Sequence, residues 1–162
     1  MKKIFNLVIA VMLTFNLASC GGGGSSSSSA SSSCSSGSSA GSGSSSVTSL
    51  SYVDNVVGTG AVATDGSYLS VDYTGWLYNS GASNNEGTEF DATTAGSPFD
   101  FELGVGAVIP GWDQGLVGMK VGGTRTLTIP SSLAYGSCPA PGSPIPPDSA
   151  LVFTVTLLGI TS

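Results

Sequence analysis

Residues 21–46 are almost entirely Ser and Gly, interrupted only by Ala30, Cys34 and Ala40. A segment with so few apolar side chains cannot offset the entropy of ordering its backbone, so it is expected to be a flexible coil. Folding is thereby confined to residues 47–162, one small domain that can bury a core without metal or disulfide staples. As a coil of about 26 residues, the tract has a root-mean-square reach of roughly 25–30 Å and an extended limit of roughly 90 Å. It reads as a spacer.

Residues 1–19 carry the marks of a secretory signal. Lys2 and Lys3 supply a short positive region, and Ile4 to Ala18 is mostly apolar but short for a membrane span. The segment ends in Leu17-Ala18-Ser19-Cys20, which resembles a bacterial lipobox. That resemblance implies cleavage before Cys20, acylation of Cys20, and anchoring in a lipid bilayer by several acyl chains. Gly21 stands where an acidic residue often retains lipoproteins at an inner membrane, so the expected location is the cell envelope, favouring the outer membrane. The expected organisation is a signal peptide over 1–19, an acylated Cys and tether over 20–46, and a folded domain over 47–162. Cys34 and Cys138 then remain. The compartment permits a disulfide, but the sequence favours two unpaired or variably paired thiols without a catalytic role.

The charge pattern excludes whole classes of function. The chain has 4 basic and 10 acidic side chains. Two of the basic ones, Lys2 and Lys3, fall in the signal, leaving Lys120 and Arg125. Nucleic-acid binding needs a basic footprint, and this chain offers none. With 0 histidines and 3 cysteines, Ser-His-Asp and Cys-His catalysis are removed, and so are most zinc sites. No metal or other cofactor is expected.

From Val47 onward the pattern turns to strands. In Tyr68 to Tyr73, Leu69, Val71 and Tyr73 share one face. Arg125 to Ile129 places Leu127 and Ile129 together, and Leu151, Phe153, Val155 and Leu157 form a last apolar stripe. Phe99 and Phe101 flank Asp100 in another short strand. Such alternation marks half-buried, antiparallel strands. One stretch, Val108 to Met119, does not alternate. Pro110 suits a first helical turn, and Trp112, Leu116 and Met119 would share a helical face, with Lys120 and Gly122-Gly123 as stop signals. The expected class is α+β: a twisted antiparallel β-sheet wrapped around one short α-helix.

Eight pieces of this domain, in order, carry a more specific resemblance. They are Val71-Asp-Tyr-Thr-Gly-Trp76, Phe90-Asp91, Phe99-Asp-Phe-Glu-Leu-Gly104, Val108-Ile-Pro-Gly-Trp112, Leu127-Thr-Ile-Pro130, Ala134-Tyr-Gly136, Ile145-Pro-Pro147 and Leu151 to Leu158. Over roughly Leu50 to Ile160 the chain resembles the FKBP-type peptidyl-prolyl cis/trans isomerases. The resemblance implies an enzyme that rotates X–Pro peptide bonds and assists folding of proteins outside the cytoplasm. Its partners would be proline-containing polypeptides and the family's macrolide inhibitors.

By that similarity, Asp91, Tyr135, Phe90 and Trp112 would be the catalytic residues. Tyr73, Phe99, Val108, Ile109, Ile145 and Phe153 would bind substrate. The proline ring would sit on the Trp112 indole, the Ile109 N–H and the Tyr135 hydroxyl would donate to substrate carbonyls, and Asp91 would stand at the pocket edge. The chemistry asks for no nucleophile. The barrier of roughly 18–20 kcal/mol comes from amide resonance, which the twisted transition state has lost. An apolar pocket with oriented donors can bind that twisted state better than the planar one. Read without the resemblance, Trp112 and Phe153 would be ordinary core residues, Tyr135-Gly136 a turn, and Asp91 a turn cap.

Three departures from the family pattern stand out. The stretch from Trp76 to Phe90 is longer than in minimal members and suggests an enlarged loop. The arginine that often pairs with the aspartate is missing from Ala92 to Ser97, so Asp91 must find other donors, such as Thr93, Thr94 or backbone N–H groups. Prolines stiffen the loop Ser137 to Pro144. A binding module that keeps the pocket for docking, and a purely structural lipoprotein, are the alternatives.

Overall fold

The computed structural model describes residues 46–161. The signal segment, Cys20, Cys34 and the tether through Ser45 lie outside the described residues. The apolar alternations become one face of an antiparallel sheet. Its strands are β1 (Ser51–Val56), β2 (Tyr68–Tyr78), β3 (Glu86–Ala92), β4 (Phe99–Glu102), β5 (Thr124–Ile129) and β6 (Leu151–Thr161), with one helix, α1 (Pro110–Gly115), between β4 and β5. The strand order is β1-β5-β6-β2-β3, and β4 also pairs with β2. Along β2, residues Tyr68 to Val71 pair with β4, and Thr74 to Tyr78 pair with β3. The α+β class expected from the sequence is the one observed.

The buried face carries Leu69, Val71 and Tyr73 from β2, Phe101 from β4, Leu127 and Ile129 from β5, and Leu151, Phe153, Val155 and Leu157 from β6. Each large side chain taken out of water here contributes about 1.5–3 kcal/mol before entropy is charged against it. Trp112, Leu116 and Met119 from α1 and its exit close the core. On the opposite face, threonines pair across strands: Thr124 with Thr156 and Thr126 with Thr154, both at 3.0 Å.

The helix meets the sheet very closely. A Cβ on Gly111 would stand 2.4 Å from Ile129, and one on Gly115 would stand 2.7 Å from Leu127. These glycines weaken the helix intrinsically but let it lie against β5. The helix also ends earlier than its sequence suggests, at Gly115 rather than near Lys120. The buried Arg125 explains why a stop is possible there. Its guanidinium donates to the carbonyls of Gly115 and Val117 at 2.7 and 3.2 Å, satisfying groups a helix end leaves open. The same guanidinium pairs with Asp54 of β1 at 2.6 and 3.1 Å and lies 4.2 Å over the Tyr52 ring.

Two further expectations are corrected. The stretch between Trp76 and Phe90 is loop only over residues 79–85: β2 runs on to Tyr78 and β3 starts at Glu86, with Trp76 opposite Glu89 and Tyr78 opposite Glu86. The extra residues form a hairpin whose turn uses Asn84 and Asn85 at φ of 55° and 61°, a region asparagine tolerates. Cys138 is disulfide-bonded, where the sequence favoured unpaired or variably paired thiols. No helix among the described residues is long and apolar enough to cross a membrane.

Candidate functional site

The site begins with strand alternation that points aromatic rings at one helix. Trp112 on α1 is 0% exposed. Around its ring stand Tyr73 at 5.1 Å, Phe153 at 5.3 Å, Phe101 at 5.6 Å and Phe99 at 6.2 Å, with Tyr73, Phe153 and Phe99 presenting near edge-on geometry. Phe90 joins through Phe153, 5.6 Å away. Edge-to-face contacts suit the aromatic quadrupole and hold the rings in fixed orientations. Trp112 is therefore the closed bottom of the cluster, and its indole N–H is buried without a hydrogen-bond partner.

The other expected residues gather on this cluster. Val108, Ile109 and Ile145 are buried in the same core, while Phe90, Phe99 and Tyr135 pack against it half-buried. Ile109 is the N-cap that precedes α1, and its carbonyl accepts from the N–H groups of Trp112 and Asp113. Its own N–H meets no acceptor among the described residues. The loop leading into it is held by Asp113, whose carboxylate accepts from the N–H groups of Gly104 and Gly106 at 2.9 and 3.0 Å. Gly104 and Gly106 have φ of 83° and 74°, backbone that few other residues adopt without strain.

Asp91 lies at the rim on β3. The Tyr73 hydroxyl donates to its Oδ2 at 2.6 Å, a short charge-assisted bond. Thr93, one of the donors anticipated for this carboxylate, instead serves the backbone of Tyr73: its Oγ1 accepts from the Tyr73 N–H at 3.1 Å, and its own N–H donates to the Tyr73 carbonyl. Burial raises the Asp91 carboxyl above its usual range, the bonds from Tyr73 and the Ala92 backbone pull it back, and Glu89 raises it again. Burial and the Asp91 bond push the Tyr73 hydroxyl far above the usual phenol value. Tyr135 is pushed up to about 12 by burial and by the charge of Asp91. Both tyrosines thus stay protonated donors at neutral pH, and no protein acceptor among the described residues takes the Tyr135 hydroxyl.

Several residues that shape the site were given no site role by the sequence reading. Phe101, which the sequence placed in a strand with Phe99 but not at the site, packs against the indole with ring centroids 5.6 Å apart. Gly75 makes room for two of the rings: a Cβ there would stand 2.7 Å from Phe153 and 2.9 Å from Phe90. Arg125 carries no local signal, because its partner Asp54 lies 71 residues away, and Asp113 was passed over although it holds Gly104 and Gly106 only nine and seven residues upstream. Cys20 lies outside the described residues. Among the described residues no group of three or more His, Cys, Asp or Glu side chains could hold a metal ion.

The arrangement offers an apolar aromatic enclosure, two uncommitted donors and one carboxylate at the rim. Comparison with known proteins agrees in extent with this unit. The family described as FKBP-type peptidyl-prolyl cis-trans isomerase matches residues 60–158. An FK506-binding protein of Neisseria meningitidis is 46% identical over 113 residues, covering 69% of this chain and 96% of that protein. FK506-binding protein 4 of Neurospora crassa is 48% identical over 114 residues, covering 70% of this chain; the chain spans only 22% of that protein's length. Among solved structures, AtFKBP13 superposes with a TM-score of 0.58 and 38% identity, covering 69% of this chain and 93% of that one. FkpA from Escherichia coli gives a TM-score of 0.59 and 42% identity, covering 70% of this chain and 49% of that one.

Proposed function

Because the chain belongs to the FKBP-type peptidyl-prolyl cis-trans isomerase family, we propose that it accelerates rotation of X–Pro bonds in proteins outside the cytoplasm, as a folding helper tethered to the cell envelope. The observation that carries the reading is the enclosure itself. Aromatic walls close on Trp112 while the Ile109 N–H and the Tyr135 hydroxyl remain free to donate inside the domain.

A proline ring enters among Phe90, Phe99 and Tyr135 and meets the tryptophan at the bottom. The half-buried rim rings move apart to admit it, since the indole itself is covered. Once inside, the amide loses the water that stabilises its planar, charge-separated form, and the twisted form becomes relatively favoured. Donation from Ile109 and Tyr135 to flanking carbonyls fixes the chain on either side of the rotating bond. No proton is transferred and no covalent bond forms. An FK506-type macrolide would compete for the same enclosure.

The envelope location rests on the Leu17-Ala18-Ser19-Cys20 motif and the Ser/Gly spacer behind it. Acylation at Cys20 anchors the chain, and the spacer gives the domain freedom to meet unfolded clients. Two experiments test the reading. The slow, X–Pro-limited refolding phase of a denatured protein is expected to speed up with the full chain and to return to its unassisted rate with an FK506-type macrolide; an unchanged phase refutes the isomerase. Labelled palmitate is expected on the wild type and absent from Cys20→Ala; label persisting on that variant refutes the anchor.

A further inference from the structure

The backbone that leads into the Ile109 N–H has little packing of its own. Upstream it is pinned at the buried Leu103, whose carbonyl accepts from the Gly66 N–H at 2.8 Å and whose N–H donates to the Ser67 carbonyl at 2.9 Å. Downstream it is pinned at Ile109, whose carbonyl is taken up by the first turn of α1. Between these points Gly104, Val105 and Gly106 are exposed, and a Cβ on Gly106 would meet nothing within 4 Å. Among the described residues this bridge is tied by Asp113 alone: the Gly104 N–H donates to its Oδ1 at 2.9 Å and the Gly106 N–H to its Oδ2 at 3.0 Å.

Burial of Val108 and Ile109 fixes their side chains, but not the plane of the peptide between them. A planar peptide can turn about the line joining its two Cα atoms while both side chains stay in place. The direction of the Ile109 N–H therefore depends on the backbone before it. That backbone contains two glycines at φ of 83° and 74°, and glycine takes up positive and negative φ about equally readily. A carboxylate gives each of the two N–H groups its own acceptor oxygen, in bonds stronger than neutral ones. We propose that Asp113 is a positioning residue of the enclosure: by clamping Gly104 and Gly106, it aims the Ile109 N–H at the substrate carbonyl. Asp113 follows Trp112 on α1, so one helix sets both the bottom of the enclosure and the donor beside it. This rests on the isomerase reading and names the residue that holds one of its two donors.

The test uses the full chain with Asp113→Ala and Asp113→Asn, each checked by circular dichroism and assayed well below its melting temperature on an Ala-Leu-Pro-Phe peptide. A donor that wanders weakens the hold on planar and twisted peptide alike. KM is therefore expected to rise about tenfold in Asp113→Ala, with kcat within about twofold of wild type. Asp113→Asn keeps one acceptor oxygen and should raise KM about threefold. A merely structural role would leave fewer folded molecules, lowering kcat and leaving KM unchanged. The Ile109 amide resonance reads the donor directly. In the wild type it should be sharp and move downfield as the peptide is added; in Asp113→Ala it should be shifted or broadened before addition and move less. A folded Asp113→Ala with wild-type KM, or one whose loss is confined to kcat with the Ile109 resonance unchanged, overturns the inference and leaves the isomerase intact. Should Asp113→Ala fail to fold, the same two readouts on Asp113→Asn decide. A wild type without turnover overturns the isomerase reading; the Ile109 resonance still tests the clamp, and its indifference to Asp113→Asn overturns that too.

Discussion

Asp91 holds a charge in a place that burial makes unfavourable. Its folded carboxyl titrates above its usual value, so ionisation opposes folding and the penalty is relieved as pH falls. Asp91→Asn should therefore raise the melting temperature at pH 7 and lose that advantage near pH 3, where aspartate is neutral in both states. The same substitution should lower kcat/KM by about tenfold, since a rim charge is traded for stability; scanning calorimetry and the peptide assay check the two halves. The tyrosines make an opposite demand. With Tyr135 pushed up to about 12 and Tyr73 raised as well, neither loses its donor proton in the alkaline working range, and the rate should stay flat from pH 7 to 9. A fall through that range would contradict the donor role of Tyr135. Sequence showed that Asp91 had lost its arginine. It did not show the Tyr73 donor, because a hydrogen bond between β2 and β3 depends on their register, which a bulge near Gly75 and Trp76 shifts.

At the scale of elements, the helix that carries Trp112 is short and rich in glycine, so packing and capping must hold it. Arg125 does the capping and Asp54 compensates its charge. Asp54→Ala leaves a buried guanidinium half-satisfied and is expected to cost about 2 kcal/mol, less than a fully buried pair because Asp54 remains partly exposed; urea unfolding reads it. Gly75→Ala tests the strand side of the site. A methyl group pressed against Phe153 and Phe90 should displace Phe90, reduce macrolide binding by about tenfold, and cost about 1–3 kcal/mol through overpacking. The alternating strands β2, β4, β5 and β6 were legible because one face is buried and one is not. Strand β1 was not legible, since all six of its residues are exposed and no alternation marks them. The helix start was visible at Pro110, but its end was set by an arginine from β5, whose partner Asp54 is 71 residues away.

Among the described residues a six-stranded sheet meets one α-helix, and the candidate site lies where the two meet. Strand β2 collects pairings from β6, β3 and β4, and this concentrates Tyr73, Phe90, Phe99 and Phe153 on the helix. Ordered motifs, rather than any single residue, made that gathering visible in the sequence, while the depth of Trp112 depended on rings packed from β2, β4 and β6. The account centres on an enclosure that catalyses by binding a twisted amide. The most direct measurement is the cis-to-trans rate of an Ala-Leu-Pro-Phe peptide with the full chain and with Trp112→Leu, whose fold is checked by circular dichroism. The account predicts a rate well above the uncatalysed one, reduced at least tenfold in the folded variant. A wild-type rate equal to the uncatalysed one, or a folded Trp112→Leu that turns over as fast as wild type, would contradict it.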